Sequence, residues 1–295
     1  MAEIISSNRI YRCREPFKIE YIPEVMKRIG WEKSAYIMNK WFSLEAKEML
    51  EDEKTATKGY TYDKYDKNYV DKTTFTMEWI KSFKRGNDAY DELLSKLSIH
   101  KLDGNYSLSK DEEKSLIATS NELKKVSAFY IKNNQPKIDS SRIEDIHKDF
   151  HFQTVKLDGY YNVKLDDLYG SLGNFSIHLA VLELEIISKS NIPNTNRDVY
   201  KVLITKVGVY MKDTYEFVGR QYLGHWNCSG VGIQLLSAIT NTSTIPGYNF
   251  KLESSTAIGN DDFNKYRKDN KKGGDMLLFS DVEIIDIEIA IDIEV

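Results

Sequence analysis

Two acids, a tyrosine, an arginine, a histidine and an indole crowd into one short stretch, DTYEFVGRQYLGHW, Asp213 to Trp226. If the chain is extended from Val207 to Tyr215, strand periodicity puts Asp213 and Tyr215 on the same side as Val207, Val209 and Met211. A carboxylate that continues an apolar row must leave the sheet at a turn or find a partner. In a functional reading, Asp213 and Glu216 act as acid and base, or hold a hard cation such as magnesium through their oxygens. Tyr215 would then orient a substrate, Trp226 contact it, and Arg220 and His225 meet a phosphate. In a structural reading, Asp213-Thr214 is a turn, Tyr215, Phe217 and Trp226 are core, and His225 is a half-buried imidazole.

Other groups carry weaker chemistry. Lys271-Lys272-Gly273-Gly274 reads as a phosphate-cradling nest or as the turn into the next strand. Asn260 as N-cap, with Asp261 and Asp262 in the first turn, describes a short helix suited to its dipole. His147 and His151 have the i, i+4 spacing of helical metal ligands but fall where helix is doubtful, which argues against zinc. Cys228 could act as a nucleophile near His225, although a lone cysteine is more often inert packing.

The elements that must position these groups change character along the chain. Pro23 suits a first helical turn, Val25, Met26 and Ile29 share a face, and Gly30 offers a C-cap. A second helix carries Ala35, Met38, Trp41 and Phe42. EDEKTATKGYTYDKYDKNYVDK has neither helical nor strand period and reads as a solvated loop. Thr74 to Lys84 and Asp88 to Leu97 read as helices separated by Arg85-Gly86-Asn87; a longer helix starts at a Ser109/Glu112 capping box and runs to Ile131. Pro136 ends it, and residues 133–145 offer a linker. Beyond, the period becomes 2, through Phe175 to Val181, Leu203 to Met211, and EIIDIEIAIDIEV, where the doublet Ile284-Ile285 suggests a bulge. The expectation is an α+β protein: a helical domain over 1–140, then a mainly antiparallel β sandwich or half-barrel over 141–295 carrying the site.

Composition sets the limits. A chain of 295 residues with 41% hydrophobic and 29% charged residues can build a core. The net charge is −4, and the six acids after residue 280 account for more than all of it, leaving the rest at +2. That field argues against nucleic acid as a partner. No run approaches the roughly 18 apolar residues of a membrane span, and the N-terminus lacks the apolar stretch of a cleaved signal. Cys13 and Cys228 form neither a disulfide framework nor a metal-ligand spacing, which fits synthesis in a reducing cytoplasm.

IPEVMKRIGWEKSAYIMNKWF, LDDLYGSLGNFSIHLAV, KVGVYMKDTYEFVGRQYLGHWN and NDDFNKYRKDNKKGGDMLLFSDV, in that order, resemble the bacterial domain-of-unknown-function 6402 family over residues 17–283. That family is often encoded beside type VI secretion components and in interbacterial toxin loci. The resemblance implies bacterial antagonism, with export that needs no cleaved signal and, as partners, a secretion component or a cognate toxin or immunity protein. LGNFS followed by DTYEF is also similar to the catalytic region of colicin M-type bacteriocins, magnesium-dependent phosphodiesterases that cut lipid II. Asp213, Tyr215 and Glu216 fit the first part of that signature, with glutamate for its second aspartate. Tyr222 and Leu223 stand where its His-Arg pair belongs, with Arg220 and His225 at other spacings. The expected function is a type VI-associated effector-like hydrolase of a phosphate-containing envelope substrate such as lipid II. Catalytic roles fall to Asp213, Tyr215, Glu216 and His225, substrate contacts to Arg220, Trp226, Lys271 and Lys272, and magnesium to Asp213 and Glu216. The competing expectation is a non-enzymatic adaptor, structural or immunity-like partner.

Overall fold

The computed structural model describes residues 3–6, 16–56, 62–98, 110–157, 164–193, 197–233 and 255–295. In chain order they form β1 (Glu3–Ser6), α1 (Ile22–Arg28), α2 (Glu32–Ser43), α3 (Glu51–Lys54), β2 (Val70–Phe75), α4 (Met77–Lys81), α5 (Lys84–Ser98), α6 (Lys110–Lys132) and α7 (Ile143–Asp145). A π-helical turn, Ile146–Phe150, leads to β3 (His151–Leu157), α8 (Asp167–Leu172), β4 (Phe175–Asn191) and β5 (Asp198–Tyr215). The chain closes with β6 (Tyr222–Asn227), β7 (Gly230–Ile233), β8 (Thr256–Gly259), α9 (Asn260–Asn270), β9 (Met276–Ser280) and β10 (Glu283–Glu294).

Helices followed by a mainly antiparallel sheet are therefore what the change of period produces. The main sheet runs β2-β9-β5-β4-β3, with β10 also paired to β5; it stays open rather than closing into a barrel. Only β2 and β9 run parallel among its pairs. A second, four-stranded sheet has the order β1-β7-β6-β8. The centre of β4 is buried on both faces, so Ile177, Leu179 and Val181 share their burial with His178, Ala180 and Leu182. At the far end β10 keeps the expected alternation from Ile285 onward, isoleucines inward and acids outward, while Ile284 is exposed. Its irregularity against β5 falls between Asp286 and Ile289, not at the Ile284-Ile285 doublet.

Three local expectations change for physical reasons. Val70, Asp71 and Lys72 are not loop but β2, and Asp71 is buried because Lys40 Nζ, 2.8 Å away, and the N–H groups of Thr73 and Thr74 satisfy its carboxylate. Residues 57–61 of that predicted loop and the capping Ser109 lie outside the described residues. The predicted linker is tied down: Ile138 donates its N–H to Leu182 O at 2.9 Å, and Leu184 to Pro136 O at 3.0 Å.

Gly86 does not break the helix. It lies inside α5, where a Cβ would come within 2.1 Å of the Ile80 carbonyl oxygen, so glycine serves the α4–α5 approach. An alanine in a helix interior normally gains about 1 kcal/mol over glycine. Here overpacking reverses the sign, and Gly86→Ala should lose about 1–3 kcal/mol in a denaturant melt.

Candidate functional site

The DTYEF segment is the end of β5, not a turn. Asp213 pairs with Leu278 and Tyr215 with Met276 of β9, so the extended backbone carries both side chains to the same face, as the apolar row requires. That face opens into a cavity of about 280 Å³ where α1, the start of α2, the end of α8, β5 and β6 meet. Asp213, Tyr215, Glu216 and Trp226 all line it.

The opposite wall is set by a capping arrangement. Helix α2 has no side-chain cap of its own; instead Asp167 of α8 accepts from the N–H of Lys33 at 3.0 Å and of Ser34 at 2.8 Å. This clamp draws α8 so close that a Cβ on Gly170 would lie 2.7 Å from the Trp31 ring. Trp31 then meets Trp226 edge to face at 6.4 Å, bringing aromatic walls to the cavity beside the polar groups of Asn174, Gln221 and Asn260.

Asp213 is half-buried, its remaining surface facing the cavity while protein encloses the rest. Burial pushes its carboxyl up to about 8, further raised by Glu216 and lowered in part by a backbone hydrogen bond from Thr214 and by Lys212. Tyr215 is buried, which raises its phenol above the usual range and keeps it neutral. Its hydroxyl has no hydrogen-bond partner among the described residues. Glu216 forms an ion pair with Lys54 of α3 at 2.5 Å. Burial leaves the Glu216 carboxyl above its ordinary range although Lys54 opposes it; on the Lys54 side burial is outweighed by Glu216, and the ammonium is held more firmly protonated.

DUF6402, a family of unknown function, matches residues 17–295. The chain belongs to DUF6402. No curated protein and no solved structure matches it.

The remaining predicted residues of this DUF6402 protein lie away from the cavity. Arg220 projects into solvent, 92% exposed, and its nearest acid is Asp261 at 3.9 Å. His225 lies on β6 between Gly232 and Ala257, its ring 5.7 Å from Tyr222; the alternation that turns Trp226 inward turns His225 away. Lys272 donates to Ser43 O at 3.2 Å. Lys271 closes α9 in a left-handed conformation and lines a separate recess. The Gly273-Gly274 backbone is no anion nest: Gly273 N–H goes to Leu44 O and Gly274 N–H to Trp41 O, with Gly273 packed on the Trp41 ring. Helix α9 is capped from Gly259, whose N–H meets Asp262 at 2.8 Å, while Asn260 reaches Val218 O at 2.7 Å.

Among the described residues no group of three or more His, Cys, Asp or Glu side chains is arranged to hold a metal ion. Glu216 is engaged by Lys54, so of the two carboxyls expected to hold magnesium only Asp213 lacks an ion-pair partner among the described residues. Cys228 is disulfide-bonded, which corrects the expectation of unpaired thiols and removes it as a nucleophile. The other cysteine of the chain, Cys13, lies outside the described residues.

The histidine pair belongs to a larger cluster. His147 and His151 do share a face, stacked at 4.9 Å across the π-helical turn, and His178 of β4 joins them at 4.7 Å from His147. Tyr210 of β5 bonds His147 Nδ1 at 3.0 Å, and Thr154 bonds His178 Nδ1 at 2.9 Å. The sequence signal was the i, i+4 spacing of His147 and His151; His178 joins them from β4, and no local rule links it to that pair.

Proposed function

We propose that this protein is an effector-like hydrolase of bacterial antagonism that acts on a cell-envelope substrate, with Asp213 as its acid–base group. One observation carries the reading: a carboxyl raised by burial to about 8 stands in a cavity wall beside a tyrosine hydroxyl that has no hydrogen-bond partner among the described residues. At neutral pH Asp213 would hold the proton that a departing oxygen needs and take one back from water afterwards. Tyr215, neutral and rigidly packed, would orient the substrate. Glu216, held by Lys54, would act through its field on Asp213 as a positioning residue.

Among the described residues the lining has aromatic rings, amides and carboxyls but no lysine, arginine or histidine. It therefore suits an uncharged, polar, ring-bearing part of the substrate better than its phosphate. The disulfide at Cys228 supports work in an oxidising compartment, since such bonds persist outside the reducing cytoplasm. The secretion-linked context follows from the family resemblance.

Directing the chain to the periplasm or the cytoplasm of a test bacterium checks this. The wild type should arrest growth in the periplasm only, and Asp213→Asn, verified as folded by its melting temperature, should relieve the arrest. Hydrolysis of isolated envelope material should decline above about pH 8 as Asp213 ionises. An inert wild type, or an Asn variant as toxic as its parent, would sink the hydrolase and favour the adaptor or immunity-like partner.

A further inference from the structure

The Asp213 cavity holds about 280 Å³, just under the range of about 300–1,000 Å³ usual for whole small molecules, so it has room for one ring-sized unit and not for a chain of them. Gln221, exposed just before β6, and the half-buried Leu223 are at its rim, whereas Trp31 and Trp226 are buried in its wall.

Charge limits what can enter. The acids of the lining are Asp213 and Glu216, and no base among the described residues faces them there, so a phosphate or carboxylate would meet no counter-charge. A free amine fares no better: burial keeps the proton on Asp213 near neutral pH, and Glu216 is already paired with Lys54. An ion left uncompensated out of water is costly, so the occupant is neutral. The polar atoms limit it again. The Tyr215 hydroxyl and the Gln221 side-chain amide have no hydrogen-bond partner among the described residues, and a protonated Asp213 can both donate and accept. A purely apolar ring would leave Tyr215 and Asp213 unmet. The rest of the wall is the Trp31–Trp226 pair with Tyr169 and Leu172, an apolar surface suited to the C–H face of a ring that carries its hydroxyls at the edge.

We propose that this cavity binds one uncharged pyranose unit of a glycan and that the bond cleaved is the glycosidic bond to it. The inference rests on the acid–base reading of Asp213 and names the substrate class of that site. The C–O bond to the leaving sugar breaks, and the Asp213 proton goes to the departing oxygen. Water then gives its hydroxyl to the anomeric carbon and its proton back to Asp213. The Glu216 carboxylate, facing the same space, stabilises through its field the positive charge that develops on the ring.

Calorimetric titration of the full chain with N-acetylglucosamine, N-acetylglucosamine 1-phosphate and phenol tests the class of ligand on the wild type itself. The neutral sugar should bind saturably, at least tenfold more tightly than its phosphate ester, and more tightly than phenol. Leu223→Trp, which fills the rim, should weaken the sugar at least tenfold. Ile117→Trp, the same kind of bulk on the exposed side of α6, should leave it within twofold. Isolated envelope glycan should gain new reducing ends with the wild type and none with Asp213→Asn. No saturable sugar binding, equal or tighter binding of the phosphate ester or of phenol, or an equal loss in both tryptophan variants would overturn the assignment. Hydrolysis of envelope material without new reducing ends would overturn the sugar and spare the hydrolase; saturable sugar binding with neither hydrolysis nor growth arrest would sink the hydrolase and leave the sugar site standing.

Discussion

Replacing Asp275 by alanine is expected to lower the stability of the protein by about 3–5 kcal/mol, the usual consequence of stripping one member from a buried ion pair. Asp275 is fully buried at the start of β9 and gathers partners from three other places in the chain. Arg267 of α9 donates to Oδ1, the Trp41 indole of α2 reaches the same oxygen at 3.4 Å, and Met49 N–H meets Oδ2 at 3.1 Å. Burial raises the carboxyl despite these partners, so the aspartate is retained only because all of them converge on it. Without it, a guanidinium that already has an unpartnered Nε would lose its counter-charge inside the Trp41 cluster. Urea denaturation should show the loss as a lower midpoint. The double variant Arg267→Met/Asp275→Leu should recover much of it, because apolar groups of similar volume need no counter-charge. A double variant as unstable as the single one would mean that packing, not the stranded charge, sets the cost.

The same site shows how far the sequence could be read. The end of β5 was legible because Val207, Val209 and Met211 continue into Asp213 and Tyr215 with an unbroken period of two. That Trp226 faces the cavity and His225 does not is a parity question, and parity on β6 is decided by its register with β7 and β8. Glu216 was legible as an acid beside Asp213 but not as the partner of Lys54, because no local rule links residues so far apart in the chain. Arg220 looked like a phosphate ligand by proximity in sequence; the left-handed Gly219 beside it belongs to a loop that carries it outward. Gly86 was misread because a glycine required by contact with the Ile80 carbonyl has the same letter as one that ends a helix.

Stability should depend on pH through two buried groups that pull in opposite directions. His147, His151 and His178 are all held below their ordinary range first by burial; neighbouring histidines and Lys212 lower His147 and His178 further, while at His151 the hydrogen bond to the His147 carbonyl opposes the burial and Lys212 adds to it. Lys212 and Lys156 add positive charge nearby, Glu122 of α6 opposes it at His151, and Tyr62, Tyr210 and Phe279 pack around the rings without charge at neutral pH. The unfolded chain takes up protons on these histidines near pH 6.5 and the folded chain does not, so stability is lost as pH falls below that value. From pH 7 to 5.5 the three together would cost roughly 4 kcal/mol at most. Asp213 acts the other way: its folded value of about 8 means that the native state binds a proton the unfolded state releases. Over the same interval it returns about 2 kcal/mol, leaving a net decline. Denaturation midpoints between pH 5.5 and 8 separate the two. Asp213→Asn should make the acid loss steeper, and His147→Gln/His178→Gln should flatten or invert it. A wild-type profile unchanged by either variant would mean that water reaches both sites well enough to leave their protons where an unfolded chain would put them.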